Sequence, residues 1–283
     1  MSNGNSILPN MAQIASSVIL ITGGASGIGR RMAMECARKK AAAIIILDIN
    51  MPEGERFCRA LNESGCKGVF IHADLSTGES IMNAVRLLDE QEMKIDVLIN
   101  NAGIVKGKSF IDHHTEDIVQ TIAVNLTGPM LLTREIARRM VSNQKGHIVN
   151  IASSAGMAAH PKLSVYVASK WGMIGWSESM RLELESAKSG VRVTTVTPYY
   201  IDTGMFNGVR SPIIPLLEPD RVARKIIRGI EKNKTFIRMP WLVYAMPFFK
   251  GILPQRWFDF VVGKVFRVYE AMDGFTPPPQ PPR

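Results

Sequence analysis

Short runs of apolar residues alternate along this chain with longer amphipathic stretches. The apolar runs have the length of strands and are predicted at 17–21, 42–47, 69–71, 95–99, 146–154, 191–196 and 235–238. The stretches between them show helical spacing of apolar residues, clearest at 28–37, 115–140, 166–185 and 219–230. Strands that are apolar throughout are typical of a parallel sheet covered on both faces. The pattern therefore predicts an α/β fold of about seven parallel strands in three layers, αβα.

A glycine-rich turn, TGGASGIG at 22–29, follows the first strand and opens the first helix. Because glycine has no side chain that would collide with a ligand, the backbone N–H groups at the start of such a helix can approach a pyrophosphate. The second strand ends in Asp48, whose carboxylate can accept both hydroxyls of an adenine ribose and would repel a 2′-phosphate. Neither Ala25 nor Ser26 supplies a cation for that phosphate. The sequence predicts a Rossmann-like, doubly wound sheet that binds NAD; the alternative, that Asp48 only opens the turn before Pro52, is less favoured.

Three residues able to move a proton lie between 153 and 170. Tyr166 and Lys170 are four apart, so a helix places them on one face. A neighbouring ammonium lowers the pKa of a phenol, and the Ser153 hydroxyl can hold the same substrate oxygen. This set suits interconversion of an alcohol and a carbonyl. A tyrosine and a lysine at this spacing also occur by chance on exposed helices, so the pair alone is weak evidence.

The order of three motifs resembles the short-chain dehydrogenase/reductase family. The glycine turn comes first, Asn100, Asn101, Ala102 and Gly103 follow, and the tyrosine–lysine pair comes last; the resemblance covers about residues 17–274. It implies hydride transfer to or from a nicotinamide at a carbinol carbon. It also implies homodimers or homotetramers that pair through the helices at 115–140 and 166–185.

The catalytic residues that the resemblance implies are Asn125, Ser153, Tyr166 and Lys170. Tyr166 exchanges the proton, Lys170 lowers its pKa and holds the nicotinamide ribose, and Asn125 bends its helix and holds a water that links the lysine to solvent. The family's serine lies thirteen residues before the tyrosine, which selects Ser153 over Ser154.

The cofactor-contacting positions that the resemblance implies are Thr22, Gly23, Ser26, Gly27, Ile28, Gly29, Asp48, Ile49, Asp74, Leu75, Asn101, Ala102, Gly103, Tyr166, Lys170, Pro198, Ile201 and Thr203. Asp74 is also a candidate N-cap for the helix that follows Thr77. Many relatives have glycine after the proline at 198, where this chain has Tyr199. We expect this difference to change the substrate pocket and not the cofactor site.

Composition restricts the possible classes of protein. A hydrophobic fraction of 46% suffices for one large folded domain, predicted at 17–240 after an N-terminal extension at 1–16. The net charge of +9 accompanies no nucleic-acid-binding motif, so no nucleic acid partner is expected. Three cysteines form no disulfide or metal-ligand pattern, and no metal is expected. The first seventeen residues resemble neither a secretory signal nor a membrane span, which predicts a cytoplasmic protein.

A basic and aromatic segment follows the predicted domain. Residues 221–269 hold eleven Lys or Arg against two acids, together with ten of the twenty aromatic residues. Cations beside aromatic side chains are typical of a segment that lies on a membrane surface, and no apolar run reaches the roughly twenty residues that cross a bilayer. Packing of the aromatics at 241–275 on the domain or on a second subunit is an equally favoured alternative. Residues 276–283 are proline-rich and predicted to be disordered.

Several motifs resemble the branch of the family that contains retinol and hydroxysteroid dehydrogenases. They are DTGMF at 202–206, LEP at 217–219 and AMDGF at 271–275. The branch implies NAD-dependent oxidation of a lipophilic alcohol, under an apolar lid expected at 206–217. Two alternatives remain open: an NAD(P)H-dependent carbonyl or 3-oxoacyl reductase, and a non-catalytic nucleotide-binding scaffold.

Overall fold

Seven parallel strands form one sheet in the order β3-β2-β1-β4-β5-β6-β7. The structure is a computed structural model and describes residues 14–211 and 213–276. The strands are β1 (Val18–Thr22), β2 (Ala43–Asp48), β3 (Lys67–His72), β4 (Val97–Asn100), β5 (Gly146–Ile151), β6 (Val191–Pro198) and β7 (Phe236–Met239). The strand order reverses between β1 and β4, and ligands of such sheets bind at the carboxyl ends of the strands beside this reversal. The predicted Rossmann-like fold is confirmed.

Nine helices accompany the sheet in the described part of the chain. They are α1 (Gly27–Arg38), α2 (Met51–Glu63), α3 (Gly78–Glu90), α4 (Thr115–Ile122), α5 (Gly128–Ser142), α6 (Ser164–Ser186), α7 (Pro219–Glu231), α8 (Met246–Ile252) and α9 (Gln255–Phe260). Buried residues of α1, α2 and α7 pack on one face of the sheet. Those of α3 and α5, with part-buried residues of α6, pack on the other. The apolar strands are therefore covered on both sides, as their composition predicts.

The helix predicted at 115–140 is interrupted at its centre. A π-helical turn, Ala123–Thr127, separates α4 from α5, and the fully buried Asn125 lies in the middle of this turn. Gly128 and Pro129 follow; Gly128 packs against the backbone of Leu75, where a Cβ would collide with the carbonyl oxygen. Such π turns are frequent at functional sites. At Asn125, where the sequence predicts a bend, the helix thus widens into a π-helix for one turn.

The C-terminal extension, residues 241–276, folds onto the sheet domain as a series of short helices. Phe258 and Val262 are buried against Ala158, while Ala271 and Met272 join a core cluster beneath the loop after β6. These residues of the extension therefore pack on the domain, as one of the two predicted alternatives requires. No helix in the described ranges is long and apolar enough to cross a membrane. Residues 1–13 of the predicted N-terminal extension and residues 277–283 of the predicted disordered tail lie outside the described residues, whereas Thr276, the first residue of that predicted tail, is described and continues the extension.

Candidate active site

The glycine turn is held in shape by Thr22, the last residue of β1. Its hydroxyl oxygen accepts hydrogen bonds from the backbone N–H groups of Asn101 (2.9 Å) and Ala102 (3.0 Å). Gly29 packs against the Gly23 carbonyl and the Asn101 side chain so closely that a Cβ would collide with both. Thr22 and Gly29 are not among the residues that line the cleft, and they support the turn from behind, so their predicted contact with the cofactor stays a prediction.

Gly23 and Gly27 have positive φ angles, +62° and +52°, which favour glycine. This conformation turns the chain sharply between β1 and α1, so that the first N–H groups of α1 face the cleft. The cleft is lined at this point by Ser26, Gly27 and Ile28. Free N–H groups at the start of a helix suit a pyrophosphate.

Asp48 lies where β2 ends and also lines the cleft. Its carboxylate accepts hydrogen bonds from the backbone N–H groups of Ala25 (2.9 Å) and Asn50 (3.0 Å). The Asn50 side chain in turn accepts from the N–H of Glu53 at the start of α2. Asp48 therefore shapes two turns, and the further acceptor positions of its two oxygens remain for a ligand.

Asp74 and Leu75 come shortly after β3, and both line the cleft. The Asp74 carboxylate accepts a hydrogen bond from the N–H of Ser76 (2.8 Å), two residues ahead. The N-cap of α3 is Thr77, whose hydroxyl accepts from the N–H of Ser80 (3.4 Å). The alternative that Asp74 caps this helix is wrong, because its carboxylate closes the preceding turn.

Ser153, Tyr166 and Lys170 meet at the carboxyl end of β5. Tyr166 and Lys170 lie in the first two turns of α6, and the Lys170 Nζ is 5.7 Å from the centroid of the Tyr166 ring. Lys170 donates a hydrogen bond to the carbonyl of Ile151 (2.9 Å). Ser153 lies two residues beyond the end of β5, and its hydroxyl lies beside the Tyr166 phenol. The structure brings together the three groups that the sequence predicts to act on one substrate oxygen.

Burial governs the ionisation of this cluster. It raises the pKa of Tyr166 to about 12, although the hydrogen bond with Ser153 lowers it in part. Burial also lowers the pKa of Lys170 to about 8. Both groups are thus driven toward their neutral forms. The lowering of the tyrosine pKa by Lys170 stays a prediction for the enzyme with cofactor and substrate in place.

Asn125 connects the π turn to the segment beside the lysine. Its Oδ1 accepts from the N–H of Ile104 (2.8 Å), and its Nδ2 donates to the carbonyl of Ile104 (2.9 Å) and to the hydroxyl of Ser169 (3.2 Å). A Cβ on Gly103 would lie 3.3 Å from Asn125 Oδ1 and 3.7 Å from Lys170 Nζ. The Asn125 side chain therefore holds the backbone of Ile104 in place beside Lys170. That Asn125 also holds a water stays a prediction.

One cleft of about 1360 Å³ contains both the glycine turn and the catalytic cluster. Most of the predicted cofactor positions line it, including Asn101, Pro198, Ile201 and Thr203. The opposite wall comes from the C-terminal extension. The lining residues from this segment are predominantly apolar: Trp241, Leu242, Val243, Ala245, Met246, Phe249, Leu253, Phe258, Val261, Val262, Phe266, Val268 and Thr276. Sequence reasoning did not assign these residues to the active site.

A buried polar pair in the cleft wall was also missed. His160 Nδ1 lies 2.9 Å from the carbonyl of Pro161 and must donate to it, so the neutral ring accepts a hydrogen bond from Tyr200 at Nε2 (2.7 Å). Burial lowers the pKa of His160, which favours this neutral form. Phe206 packs edge-on against both Tyr200 and Tyr166. A histidine before a proline is an ordinary loop pattern, so the sequence offered no signal for this contact.

The residues at the glycine end of the cleft fit a dinucleotide. Gly27, which has a positive φ and lines the cleft, carries no side chain that would block a phosphate beside the start of α1. The carboxylate of Asp48 lies at the ribose position, and Asn101 Oδ1 is buried with no hydrogen-bond partner among the described residues. No group of His, Cys, Asp or Glu in the described ranges is placed to hold a metal ion.

Comparisons with known proteins give the family. The sequence model of the short chain dehydrogenase family matches residues 17–213. Epidermal retinol dehydrogenase 2 of Homo sapiens is 34% identical over 268 residues, which cover 93% of this chain and 86% of that protein. Retinol dehydrogenase 10 of Homo sapiens is 31% identical over 279 residues, covering 88% and 82%. The chain belongs to the short-chain dehydrogenase/reductase family and is an oxidoreductase; the predicted likeness to retinol dehydrogenases is confirmed.

Solved structures agree with this assignment. A short-chain dehydrogenase/reductase from Burkholderia phymatum in complex with NAD has the same fold, with a TM-score of 0.75 at 21% identity, covering 95% of this chain and 99% of that one. A short-chain dehydrogenase from Sphingobium yanoikuyae in complex with NADPH has a TM-score of 0.73 at 27% identity, covering 84% and 97%. The cofactor of this family is a nicotinamide dinucleotide. The two solved structures contain NAD in one case and NADPH in the other.

Proposed function

We propose that this enzyme oxidises a lipophilic alcohol, of the retinol, steroid or fatty-alcohol kind, with NAD⁺ as acceptor. The observation that carries the proposal is the composition of the cleft that contains the catalytic cluster. One end holds the glycine turn and the Ser153, Tyr166 and Lys170 cluster, while the other is walled by apolar side chains of the C-terminal extension. A substrate that reaches the cluster is thus surrounded by apolar groups beyond its hydroxyl.

The proposed reaction gives each polar residue of the catalytic cluster one role. NAD⁺, which the glycine turn and Asp48 would hold, would supply the acceptor for the hydride of the carbinol carbon. Ser153 donates a hydrogen bond to the substrate oxygen and fixes its position, and Tyr166 takes the hydroxyl proton as general base. Lys170 favours the phenolate of Tyr166 when it is charged, and Asn125 keeps the segment around Ile104 in place beside the lysine.

The choice of NAD over NADP is part of the proposal and rests on Asp48. Its carboxylate lines the cleft beside the glycine turn, where the ribose of the adenosine half binds in Rossmann-like folds. A 2′-phosphate there would meet this negative charge. Neither residue at positions 25 and 26 carries a positive charge that would offset the repulsion.

We also propose that the C-terminal extension contacts a membrane surface peripherally. Trp241, Phe248 and Trp257 are exposed by 77%, 64% and 65%, although large aromatic side chains are normally covered in a monomer. The Arg238 guanidinium lies close to this surface, 5.5 Å from the Tyr244 ring centroid. Because Trp241 also lines the cleft, a lipophilic substrate would enter from the acyl phase without crossing water.

We further propose a homodimer or homotetramer, which sedimentation tests.

The experiment that tests the function follows NADH formation from NAD⁺ with retinol, a hydroxysteroid and a medium-chain alcohol in parallel. The Tyr166→Phe variant serves as the blank, and NADP⁺ as the cofactor control. We expect turnover with at least one alcohol that falls by a factor of roughly 10³ or more in the variant, while NADH binding persists. Turnover that survives in Tyr166→Phe contradicts the catalytic assignment. Preference for NADP⁺ favours the reductase. If no alcohol is oxidised, the corresponding carbonyls are assayed with NADH and NADPH, and no turnover there either favours the scaffold.

A further inference from the structure

Lys250, in the last turn of α8, makes two contacts with the sheet domain. Its Nζ donates a hydrogen bond to the carbonyl of Met157 (3.1 Å) and lies 3.6 Å from the centroid of the Trp171 ring. Its helix neighbours Phe248 and Phe249 are exposed by 64% and 48%. The lysine therefore attaches to the domain a helix on which Phe248 is largely exposed, while the half-exposed Phe249 also lines the cleft.

Both partners of Lys250 adjoin catalytic residues. Trp171 follows Lys170 in α6, and its indole N–H donates a hydrogen bond to the carbonyl of Ala155 (3.0 Å). Met157 follows the short 3-10 turn that begins after Ser153. The N–H of Ala155 donates to the Ser153 hydroxyl oxygen (3.1 Å). A continuous series of contacts thus runs from α8 through this turn to the serine.

The chemistry of this contact needs a hydrogen-bond donor and favours a cation. A carbonyl oxygen accepts a hydrogen bond from the ammonium, and the face of an indole attracts positive charge more strongly than other aromatic rings do. An uncharged side chain of similar length, such as methionine, offers neither interaction. Arginine offers both, because its guanidinium donates hydrogen bonds and stacks on aromatic faces.

The far end of the extension is attached separately, to the expected lid at 206–217. The N–H of Arg210 donates to the carbonyl of Ala271 (3.1 Å), and the N–H of Thr276 donates to the carbonyl of Asn207 (2.9 Å). The extension is thus tied to two sides of the cleft. On the side of Ser153, the contacts of Lys250 provide the polar attachment of α8.

We propose that Lys250 is a positioning residue, which holds the turn after Ser153 so that the serine hydroxyl meets the substrate oxygen. The inference rests on the proposed function for its kinetic consequence, though not for the contact itself. It makes the C-terminal extension part of the catalytic apparatus. The extension then acts as more than a wall of the substrate cleft.

The kinetic test compares Lys250→Met with Lys250→Arg and with Lys264→Met, a matched change at an exposed lysine of the same extension. Assays use an alcohol dissolved with detergent, so that membrane contact does not enter. We expect the kcat of Lys250→Met to fall about tenfold, since a displaced serine loses stabilisation of the transition state. The affinity for NADH should not change. Lys250→Arg should restore most of the activity, and Lys264→Met should match the wild type.

Hydrogen exchange of peptides covering 153–157 is the second readout and needs no turnover. Exchange there should increase in Lys250→Met and return to the wild-type level in Lys250→Arg. If both variants at 250 match Lys264→Met in rate and in exchange, the proposal is overturned while the function stands. If the wild type itself shows no Tyr166-dependent turnover, the function fails and exchange alone decides the contact. Should Lys250→Met not fold, Lys250→Leu replaces it, with the same expectations, because leucine likewise offers neither a hydrogen-bond donor nor a charge.

Discussion

The carboxylate of Asp48 accepts a hydrogen bond from the backbone N–H of Ala25, with 2.9 Å between Oδ2 and N. This contact joins the end of β2 to the glycine turn that precedes α1. The side chain proposed to select the cofactor is therefore also the one that holds the phosphate-binding turn against the neighbouring strand. Replacing it changes both properties, and the two effects can be separated by the choice of substitution.

Asp48→Asn removes the charge and keeps one oxygen, which can accept from Ala25, while the hydrogen bond from the N–H of Asn50 is lost. We expect NADH affinity to fall about tenfold, because the ribose loses a charged acceptor, and NADPH affinity to rise as repulsion of the 2′-phosphate disappears. Fluorescence titration with both nucleotides measures the ratio. Asp74→Asn, a matched change in the same cleft, should leave this ratio unchanged. An unaltered ratio in Asp48→Asn would show that Asp48 does not select the cofactor.

Gly29→Ala tests the packing of the glycine turn. The new Cβ collides with the Gly23 carbonyl and the Asn101 side chain, so we expect a loss of about 1–3 kcal/mol in the free energy of unfolding together with weaker NADH binding. Gly175→Ala is the matched control. Gly175 is an exposed position of α6 whose Cβ would meet no atom within 4 Å, and alanine there should stabilise by about 0.5–1 kcal/mol. Chemical denaturation compares the two; equal stabilities would contradict the assignment.

Local patterns predicted the sheet and the cofactor end of the cleft because each of those features is encoded within a few residues. Apolar runs define buried strands, and the turn at 22–29 carries its own glycines. The tyrosine and lysine share a helix face through their spacing of four. These features depend on neighbours in sequence, so they can be read without knowing the tertiary structure.

The contacts that sequence reasoning missed all join residues far apart in the chain. Lys250 meets Met157 across 93 positions, and Tyr200 meets His160 across 40. Nothing in the local sequence of either partner indicates the other. The aromatic residues of the extension were ambiguous for the same reason, since the composition of a segment does not say which side chains face the domain. In the structure Phe258 is buried and Trp257 is exposed, although they are adjacent.

The exposed aromatic residues of the extension provide a test of membrane contact. We expect the wild type to sediment with phosphatidylcholine vesicles, more so when phosphatidylserine is included, because apolar and cationic groups both contribute. A variant carrying Trp241→Ser and Trp257→Ser should bind at least about tenfold more weakly. Met82→Ser, at a position of α3 that is 51% exposed, is the control and should bind like the wild type. Equal binding by all three proteins would assign the aromatic surface to a protein partner.

The buried lysine of the catalytic cluster makes stability depend on pH in the cofactor-free protein. Burial lowers the pKa of Lys170 from 10.5 to about 8. Between these values the unfolded chain binds more protons than the folded one, so the free energy of unfolding rises with pH across this window. Below pH 8 the penalty for the buried charge is fully present. Relative to Lys170→Met, we expect the wild type to gain about 2–3 kcal/mol between pH 7 and pH 10.

Urea denaturation at several pH values measures this gain as a difference in slope between the two proteins. The slope is more informative than either absolute stability, because the methionine also leaves the carbonyl of Ile151 without its hydrogen bond. The pKa of Tyr166, raised from 10 to about 12, lowers stability as pH rises only above pH 10, and does so in both proteins. Lys94→Met, at an exposed position, should follow the wild-type slope. Parallel curves for the wild type and Lys170→Met would mean that Lys170 keeps its ordinary pKa, and with it a permanent positive charge beside Tyr166.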